Sequence, residues 1–217
     1  MQKPLTLWGR RSAFNVQKIL WLIDEIGLEH RQLDAGGDFG GLDTPEFLAL
    51  NPHGKVPVID DQGSIVWESH TILRYLAARH APGRFWDADP ARQSLADRWL
   101  DWAQVTLQPA FFAVFRGYFR TPEDQRDWAA IGRAQEQASQ LYHLLDRHLA
   151  DRPYLAGDRF TIADIPAGTT LFRYFSLDLD RPSFPHVEAW YARLSERPAY
   201  RTNVQLTVDE LKGRRDF

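Results

Sequence analysis

The chain has 217 residues, 44% of them hydrophobic and 13% aromatic, so it is long enough to bury the core of one large or two small domains. Its 26 basic and 29 acidic residues give a net charge of -3 with no basic tail, which argues against nucleic acid as a partner. The absence of cysteine excludes disulfides, thiolate metal sites and a nucleophilic thiol of the protein, and we expect no bound metal.

The first part of the chain, to about His80, alternates strand-like and helical patterns. Strands are predicted at "LTLWG", "HRQLD", "KVPVID" and "SIVWE". Helices are predicted from Val16 to Ile26, across "DTPEFLALN", and from Ser69 to Arg79. The predicted element order in residues 1–80 is therefore βαβαββα.

The rest of the chain predicts helices only. Residues 81–90 hold two prolines and a glycine, which is typical of a linker. From residue 91 to 217 the helical patterns include a long one to about Phe119, one that opens at "RTPED", one that opens at "FTIADI" with the capping-box pair Thr161 and Asp164, and a short one near His186. Without a signal-peptide pattern or 18 consecutive apolar residues, the sequence predicts a cytoplasmic protein with no membrane partner.

Pro57 stands inside the third predicted strand, although proline cannot donate a ladder hydrogen bond. It therefore belongs at a sheet edge or at the start of a strand. If the peptide bond from Val56 to Pro57 is cis, the Val56 backbone presents an N–H and a C=O to a peptide-like ligand. The alternative is a proline that only blunts a sheet edge.

Glu68 and Ser69 stand where the third helix begins. The free N–H groups of a helix N-terminus and the Ser69 hydroxyl suit a carboxylate, and Glu68 would attract an ammonium, so the pair could hold an amino-acid head group. The alternative is that Ser69 is only an N-cap. His53 and Lys55, before Pro57, could meet a second carboxylate or remain solvated. Together these groups predict a slot for a short peptide.

Together with this predicted slot, the sequence resembles the soluble glutathione transferases, and within that family either the serine-type branch or the bacterial asparagine-containing branch. The resemblance rests on "SAFNVQKILWLIDEIGLEH", "TPEFLALNPHGKVPVIDD", "WESHTILRYLA", "DADPARQSLADRWLDW" and "YLAGDRFTIADI". It implies an α/β thioredoxin-like N-terminal domain, a linker over 81–90, and an all-α helical-bundle domain over 91–217 that lines the electrophile site. It also implies a homodimeric detoxification enzyme that directs the glutathione thiolate at a hydrophobic electrophile.

The resemblance implies glutathione-binding roles for His53, Lys55, Val56, Pro57, Glu68, Ser69 and Asp101. Glu68 and Ser69 would hold the γ-glutamyl head group, and Val56 would pair with the cysteinyl unit. Lys55, with His53 nearby, would face the glycine carboxylate. Asp101 would reach the head group across a dimer interface, or is simply a solvated helix residue.

The group that activates the sulfur is expected in "GRRSAFNVQK", between the first strand and the first helix. Ser12 stands where serine-type members of the family carry their hydroxyl. Asn15 is the second candidate, as in branches that reduce disulfides with glutathione. The alternatives are that backbone donors act alone, or that both residues only cap the helix.

An aromatic stripe on the long helix is predicted to line the electrophile pocket or to pack in the core, and it consists of Phe111, Phe115, Tyr118 and Phe119. Two other functions stay open at this point. One is a glutathione-dependent disulfide or peroxide reductase, and the other is a non-catalytic binding protein on the same fold.

Overall fold

A four-stranded sheet forms the centre of the N-terminal part in the computed structural model, which describes residues 4–215. The strands are β1 (Leu5–Trp8), β2 (His30–Leu33), β3 (Val58–Asp61) and β4 (Ser64–Trp67), in the order β2-β1-β3-β4. β1 runs parallel to β2 and antiparallel to β3, and β4 is antiparallel to β3. With helices α1 (Phe14–Ile26), α2 (Pro45–Leu50) and α3 (Ser69–His80), the predicted βαβαββα order is confirmed.

Local sequence signals explain where these elements begin and end. α1 stops at Gly27, whose φ of 68° is the left-handed conformation that glycine adopts without strain. α2 starts with Pro45 after Thr44, which accepts a hydrogen bond from the Phe47 N–H. Pro57, with a cis peptide bond, lies just before β3. β3 is a central strand, so Pro57 marks a strand start and not a sheet edge.

The remaining described chain is helical, as predicted. Its helices are α4 (Pro90–Trp102), α5 (Gln108–Phe115), α6 (Trp128–His148), α7 (Asp164–Ser176), α8 (Pro185–Ser195) and α9 (Pro198–Asn203). π-helical turns at Ala103–Leu107 and Arg116–Arg120 join α4 to α5 and extend α5. In residues 4–215 no helix has both the length and the apolar character needed to cross a membrane.

Two helix boundaries differ from the sequence prediction. α6 begins after Asp127, which accepts a hydrogen bond from the Ala130 N–H at 2.9 Å, and not at "RTPED". A carboxylate at the N-cap satisfies a free helix N–H, and this signal outweighs the proline at position 122. α9 was not predicted, because its six residues are too few to show a helical period.

The predicted capping box fixes the start of α7. The Thr161 hydroxyl accepts from the Ala163 N–H at 3.2 Å, and Asp164 accepts from the N–H groups of Thr161 and Leu155, both at 2.9 Å. Burial raises the pKa of the Asp164 carboxyl to about 7, although both N–H donors favour its charged form. Asp164 thereby ties the preceding loop to the helix.

α1 packs against both parts of the molecule. Trp21 is fully buried, with ring centroids 5.3 Å from Phe160 and 4.7 Å from Tyr200. Glu25 accepts two hydrogen bonds of 2.6 Å from Arg197 in the helical part. The first helix of the mixed domain therefore belongs equally to the core of the helical one.

Candidate functional site

A cleft of about 300 Å³ lies between the connection from β1 to α1 and the end of α5. From the mixed domain it is lined by Arg10, Ser12, Ala13, Phe14, Asn15, Gly37, Leu42, Lys55 and Val56. From the helical domain it is lined by Phe112, Phe115, Arg116, Arg120, Arg173 and Leu211. The structure thus brings four of the predicted site residues of the mixed domain, at positions 12, 15, 55 and 56, to one side of a single cleft.

Ser12 and Asn15 face this cleft and do not cap α1. Ala13 occupies the N-cap position, and no side chain caps this helix end, so the capping alternative is wrong for both residues. Among residues 4–215, the Ser12 hydroxyl has no hydrogen-bond partner, and the Asn15 Oδ1 is buried without one. This leaves a hydroxyl and the amide Nδ2 as accessible donors.

Arg173, on α7, holds the Ser12 segment from behind. Its Nη2 donates to the Ser12 carbonyl at 2.7 Å and to the Gln17 Oε1 at 2.9 Å. The guanidinium also lies over the rings of Phe14 and Phe115, at 5.4 Å from each centroid. Burial lowers the pKa of Arg173 to about 9, which still leaves it protonated at neutral pH. A residue of the helical domain therefore positions the backbone of Ser12.

The segment before β3 has an open backbone beside the cleft. The peptide bond from Val56 to Pro57 is cis, and within residues 4–215 the Val56 N–H and C=O make no backbone hydrogen bond. Lys55 is exposed and lines the cleft. His53 lies outside the lining, with its ring 5.2 Å from the ring of Trp67.

Glu68 and Ser69 adjoin this segment, because the pairing of Val58 with Trp67 brings the end of β4 alongside the start of β3. Glu68 has a φ of 68°, which is rare for a residue other than glycine and is found at functional sites. Ser69 is buried as the first residue of α3, and no side chain caps this helix end. The helix start therefore offers free N–H groups next to an exposed carboxylate.

A buried lysine lies behind this helix start. The Lys18 Nζ is 3.0 Å from the His70 Nε2 and 2.6 Å from the Gln108 Oε1. Burial lowers the pKa of Lys18 to about 7, and the negative charge of Glu68 opposes this shift. Burial and the neighbouring cations lower the pKa of His70 to about 2, so its imidazole is neutral. The cluster ties α1, α3 and α5 together.

Lys18 makes stability depend on pH. The pKa of Lys18 is about 7 in the folded protein, below the ordinary value of 10.5, so the unfolded chain binds more protons between these pH values. The free energy of unfolding therefore rises as pH rises from about 7 to about 10. Urea unfolding at several pH values measures this increase in the free energy of unfolding. We expect the increase to be smaller in Lys18→Met than in the wild type by about 1 kcal/mol or more. The exposed control Lys212→Met should follow the wild type, and equal slopes for Lys18→Met and the wild type would contradict the assignment.

The aromatic stripe is only partly at the cleft. Phe115 lines it, whereas Phe111 is fully buried in the core and the Tyr118 hydroxyl donates to a backbone carbonyl elsewhere. Phe119 stacks on Phe115 outside the lining. The expectation that Phe111, Tyr118 and Phe119 line the pocket is therefore corrected. Phe111 lies on the side of α5 that packs in the core, and its neighbour Phe112 lines the cleft instead.

Asp101 lies on the outer surface of α4, away from the cleft. It accepts a hydrogen bond from Arg74, which also binds Asp97, and its side chain is 67% exposed. Gln104, one turn later, is also exposed. In the described part of the chain, no group of three or more His, Asp or Glu side chains could hold a metal ion.

Comparisons with known proteins give the same family for both halves of the chain. Residues 3–78 match the family model described as glutathione S-transferase, N-terminal domain, and residues 101–198 match glutathione S-transferase, C-terminal domain. Glutathione S-transferase GstB of Escherichia coli is 40% identical over 206 residues, which cover 94% of this chain and 99% of GstB. Disulfide-bond oxidoreductase YfcG of Escherichia coli is 30% identical over 192 residues, which cover 85% of this chain and 87% of YfcG.

A solved structure is similarly close. The crystal structure of the theta class glutathione S-transferase from Xanthomonas axonopodis pv. citri, with glutathione bound, superposes with a TM-score of 0.90 at 44% identity. The match covers 96% of this chain and 100% of that one. Fold and sequence therefore agree over nearly the whole length of the protein.

Proposed function

The chain belongs to the glutathione S-transferase family, and from this premise we propose which of its residues bind glutathione and activate the sulfur. It is a glutathione transferase with a thioredoxin-like domain, a helical domain and glutathione as co-substrate. The proposal rests on one observation above all. Two accessible donors, the Ser12 hydroxyl and the Asn15 amide, face the same cleft as the open backbone of Val56.

In the proposed binding mode, glutathione lies along the connection from Val56 to the start of α3. The γ-glutamyl carboxylate meets the free N–H groups at Ser69, and its ammonium meets Glu68. The cysteinyl amide pairs with the Val56 backbone, as a short added strand. Lys55 faces the glycine carboxylate from the cleft, and His53 adds polar surface beside it.

The cleft activates glutathione by stabilising its thiolate. A free thiol has a pKa near 8.5, and lowering it by about two units requires roughly 2.7 kcal/mol in favour of the anion. A hydroxyl donor and the N-terminus of α1 supply this order of energy. The thiol proton leaves to solvent, the sulfur forms a bond to the electrophilic carbon, and the leaving group departs with the electrons of its bond.

A second candidate activity, reduction of disulfides with glutathione, has support of its own. The Asn15 amide reaches the cleft beside Ser12, and YfcG, a disulfide-bond oxidoreductase, is 30% identical. In this reaction the glutathione thiolate attacks one sulfur of the substrate disulfide and the other sulfur leaves as a thiolate. A second glutathione then releases the product and forms glutathione disulfide, so the protein needs no cysteine.

One preparation can separate these activities. We expect glutathione to bind, measured by calorimetry, and an aryl halide to be conjugated faster than a small organic disulfide is reduced, each relative to its uncatalysed rate. Faster disulfide reduction would favour the second candidate. Binding without either reaction would indicate a non-catalytic carrier, and failure to bind glutathione would contradict the proposed site.

The remaining proposals concern the homodimer, the two domain boundaries and the cellular location. We propose a homodimer in which Asp101 reaches the head group bound by the other subunit, because its carboxylate is exposed on α4. The predicted division into residues 1–80 and 91–217 is supported by the family matches over 3–78 and 101–198. The cytoplasmic location stays a prediction.

Arg173→Met should lower kcat for conjugation about fivefold or more and change glutathione affinity less than threefold, because it frees the Ser12 carbonyl but leaves the binding slot intact. The matched control is Arg193→Met, since Arg193 also donates to a backbone carbonyl, that of Pro153, away from the cleft. Thermal unfolding of both variants reports their stability. Equal kcat values in the two variants would remove the positioning role from Arg173.

A further inference from the structure

Lys18 is a buried lysine for which the fold supplies no paired charge. The residue is 1% exposed, and among residues 4–215 no aspartate or glutamate forms a salt bridge with its Nζ. Removing an ammonium from water is costly unless an opposite charge or hydrogen bonds compensate it. Buried groups of this kind concentrate at functional sites, and neither the sulfur donors nor the peptide slot described above accounts for Lys18.

The groups in contact with the Lys18 ammonium are polar or aromatic but uncharged. An ammonium has only donors, so Nζ donates to the Gln108 Oε1 at 2.6 Å and to the His70 Nε2 at 3.0 Å. The centroid of the Phe14 ring lies 4.8 Å from Nζ. These contacts hold the ammonium in one place and leave its positive charge without a partner of opposite sign.

The charged groups on the elements packed around Lys18 leave room for one more negative charge. Glu68, just before α3, is the carboxylate that acts on Lys18 through space, and its side chain is exposed. Arg74, one turn after the neutral His70 on α3, is paired with carboxylates of α4. Arg173 of α7 lies over the same phenyl ring as Lys18 and adds positive charge. A ligand carboxylate at the start of α3 would therefore meet a buried cation.

The proposed position of the γ-glutamyl carboxylate is next to this cation. His70, which accepts from Lys18, directly follows Ser69, where the free N–H groups of α3 would bind the carboxylate. The ammonium of the same head group would meet Glu68, on the exposed side. The carboxylate is thus the charge of the ligand that lies toward the protein interior, where water screens charges least.

We propose that Lys18 is a positioning residue for glutathione. Its buried ammonium strengthens the binding of the γ-glutamyl carboxylate at Ser69, so the ligand and a proton on Lys18 bind together. The inference rests on the proposed glutathione site and adds a charge that lies behind it. By linkage, the bound carboxylate stabilises the protonated form of Lys18 as much as that proton strengthens carboxylate binding. The pKa of Lys18 in the free protein is about 7, which puts this coupling in the neutral range.

Proton uptake on binding tests the coupling in the wild type. The probe is S-methylglutathione, which keeps the head group and lacks the ionisable thiol. Calorimetry in buffers of different ionisation enthalpy gives the number of protons taken up for each ligand bound. For a rise of about one unit in the pKa of Lys18, we expect an uptake of about 0.5 proton at pH 7.5 and less than about 0.1 at pH 5.5. The affinity for the probe should fall about fivefold from pH 6 to pH 8.

Two variants assign the proton to Lys18. Lys18→Met should bind the probe about ninefold more weakly than the wild type at pH 6, with no proton uptake and little change in affinity up to pH 8. His53→Gln removes the histidine beside the proposed glycine subsite and should keep the uptake. Binding to the wild type without proton uptake, or uptake that persists in Lys18→Met, would overturn the inference. Failure of the wild type to bind the probe would instead contradict the proposed glutathione site.

Discussion

Ser12→Ala is expected to lower kcat for conjugation of an aryl halide at least tenfold while glutathione still binds. The variant removes a hydroxyl that faces the cleft, and leaves the N-terminus of α1 and the binding slot unchanged. With the pKa of the bound thiol near 6.5, as a lowering of about two units gives, a tenfold loss of thiolate at neutral pH corresponds to a rise of about 1.6 units in that pKa. The measurements are steady-state kinetics and a pH titration of the thiolate absorbance of the bound glutathione.

Asn15→Ala is the comparison that decides between the two donors. We expect a smaller loss than for Ser12→Ala, and the exposed control Ser94→Ala on α4 should match the wild type. A larger loss in Asn15→Ala would transfer the role of sulfur donor to the amide. Wild-type rates in both variants would leave the backbone N–H groups of α1 as the activating donors.

Asp164→Ala is expected to reduce the free energy of unfolding by about 3 kcal/mol, the largest stability effect among these variants. Asp164 is fully buried and accepts hydrogen bonds from two backbone N–H groups. Without the carboxylate, the Leu155 N–H stays buried and unpaired, the part-buried Thr161 N–H loses its acceptor, and the loop before α7 loses its attachment. Urea unfolding at neutral pH measures the change.

Two further substitutions make this test specific to the hydrogen bonds. Asp164→Asn keeps the shape but turns an NH₂ group toward one of the two N–H donors, so we expect an intermediate loss of about 1–2 kcal/mol. Asp158→Ala removes an exposed carboxylate nearby and should change stability by less than about 0.5 kcal/mol. Equal effects of Asp164→Ala and Asp158→Ala would show that the capping box contributes little.

The sequence predicted the elements whose signals are local. Gly27 ends α1, Thr44 and Pro45 start α2, and the pair Thr161 and Asp164 starts α7, because each interaction joins residues at most four positions apart. β1 (LTLW) and β4 (SIVW) followed for the same reason, since each is a short, mostly apolar run, whereas the polar β2 (HRQL) carries a weaker local signal. The connection that carries the candidate sulfur donors was located because it lies between two such elements.

Features that depend on distant residues could not be predicted in this way. From the sequence, a lysine at position 18 is expected on the surface of a helix. It is buried instead, because its partners His70 and Gln108 lie 52 and 90 positions away in the chain. Arg173 binds the Ser12 carbonyl across 161 positions. Which face of α5 meets the core is set by its packing against α6 and α7, so a helical period alone does not show which aromatic side chains reach the cleft.

The packing of α1 decides how this protein could be recombined with its relatives. In chain order α1 belongs to the first domain, but Lys18, Trp21 and Glu25 all have partners in the second. In a chimera joined at residues 81–90, α1 would pack against the helical domain of another protein. Several buried polar groups would then lose their partners. Moving α1 together with the helical domain would not avoid this loss, because α1 also packs on α3, where Lys18 lies 3.0 Å from His70. The two domains are therefore exchanged intact only as a pair.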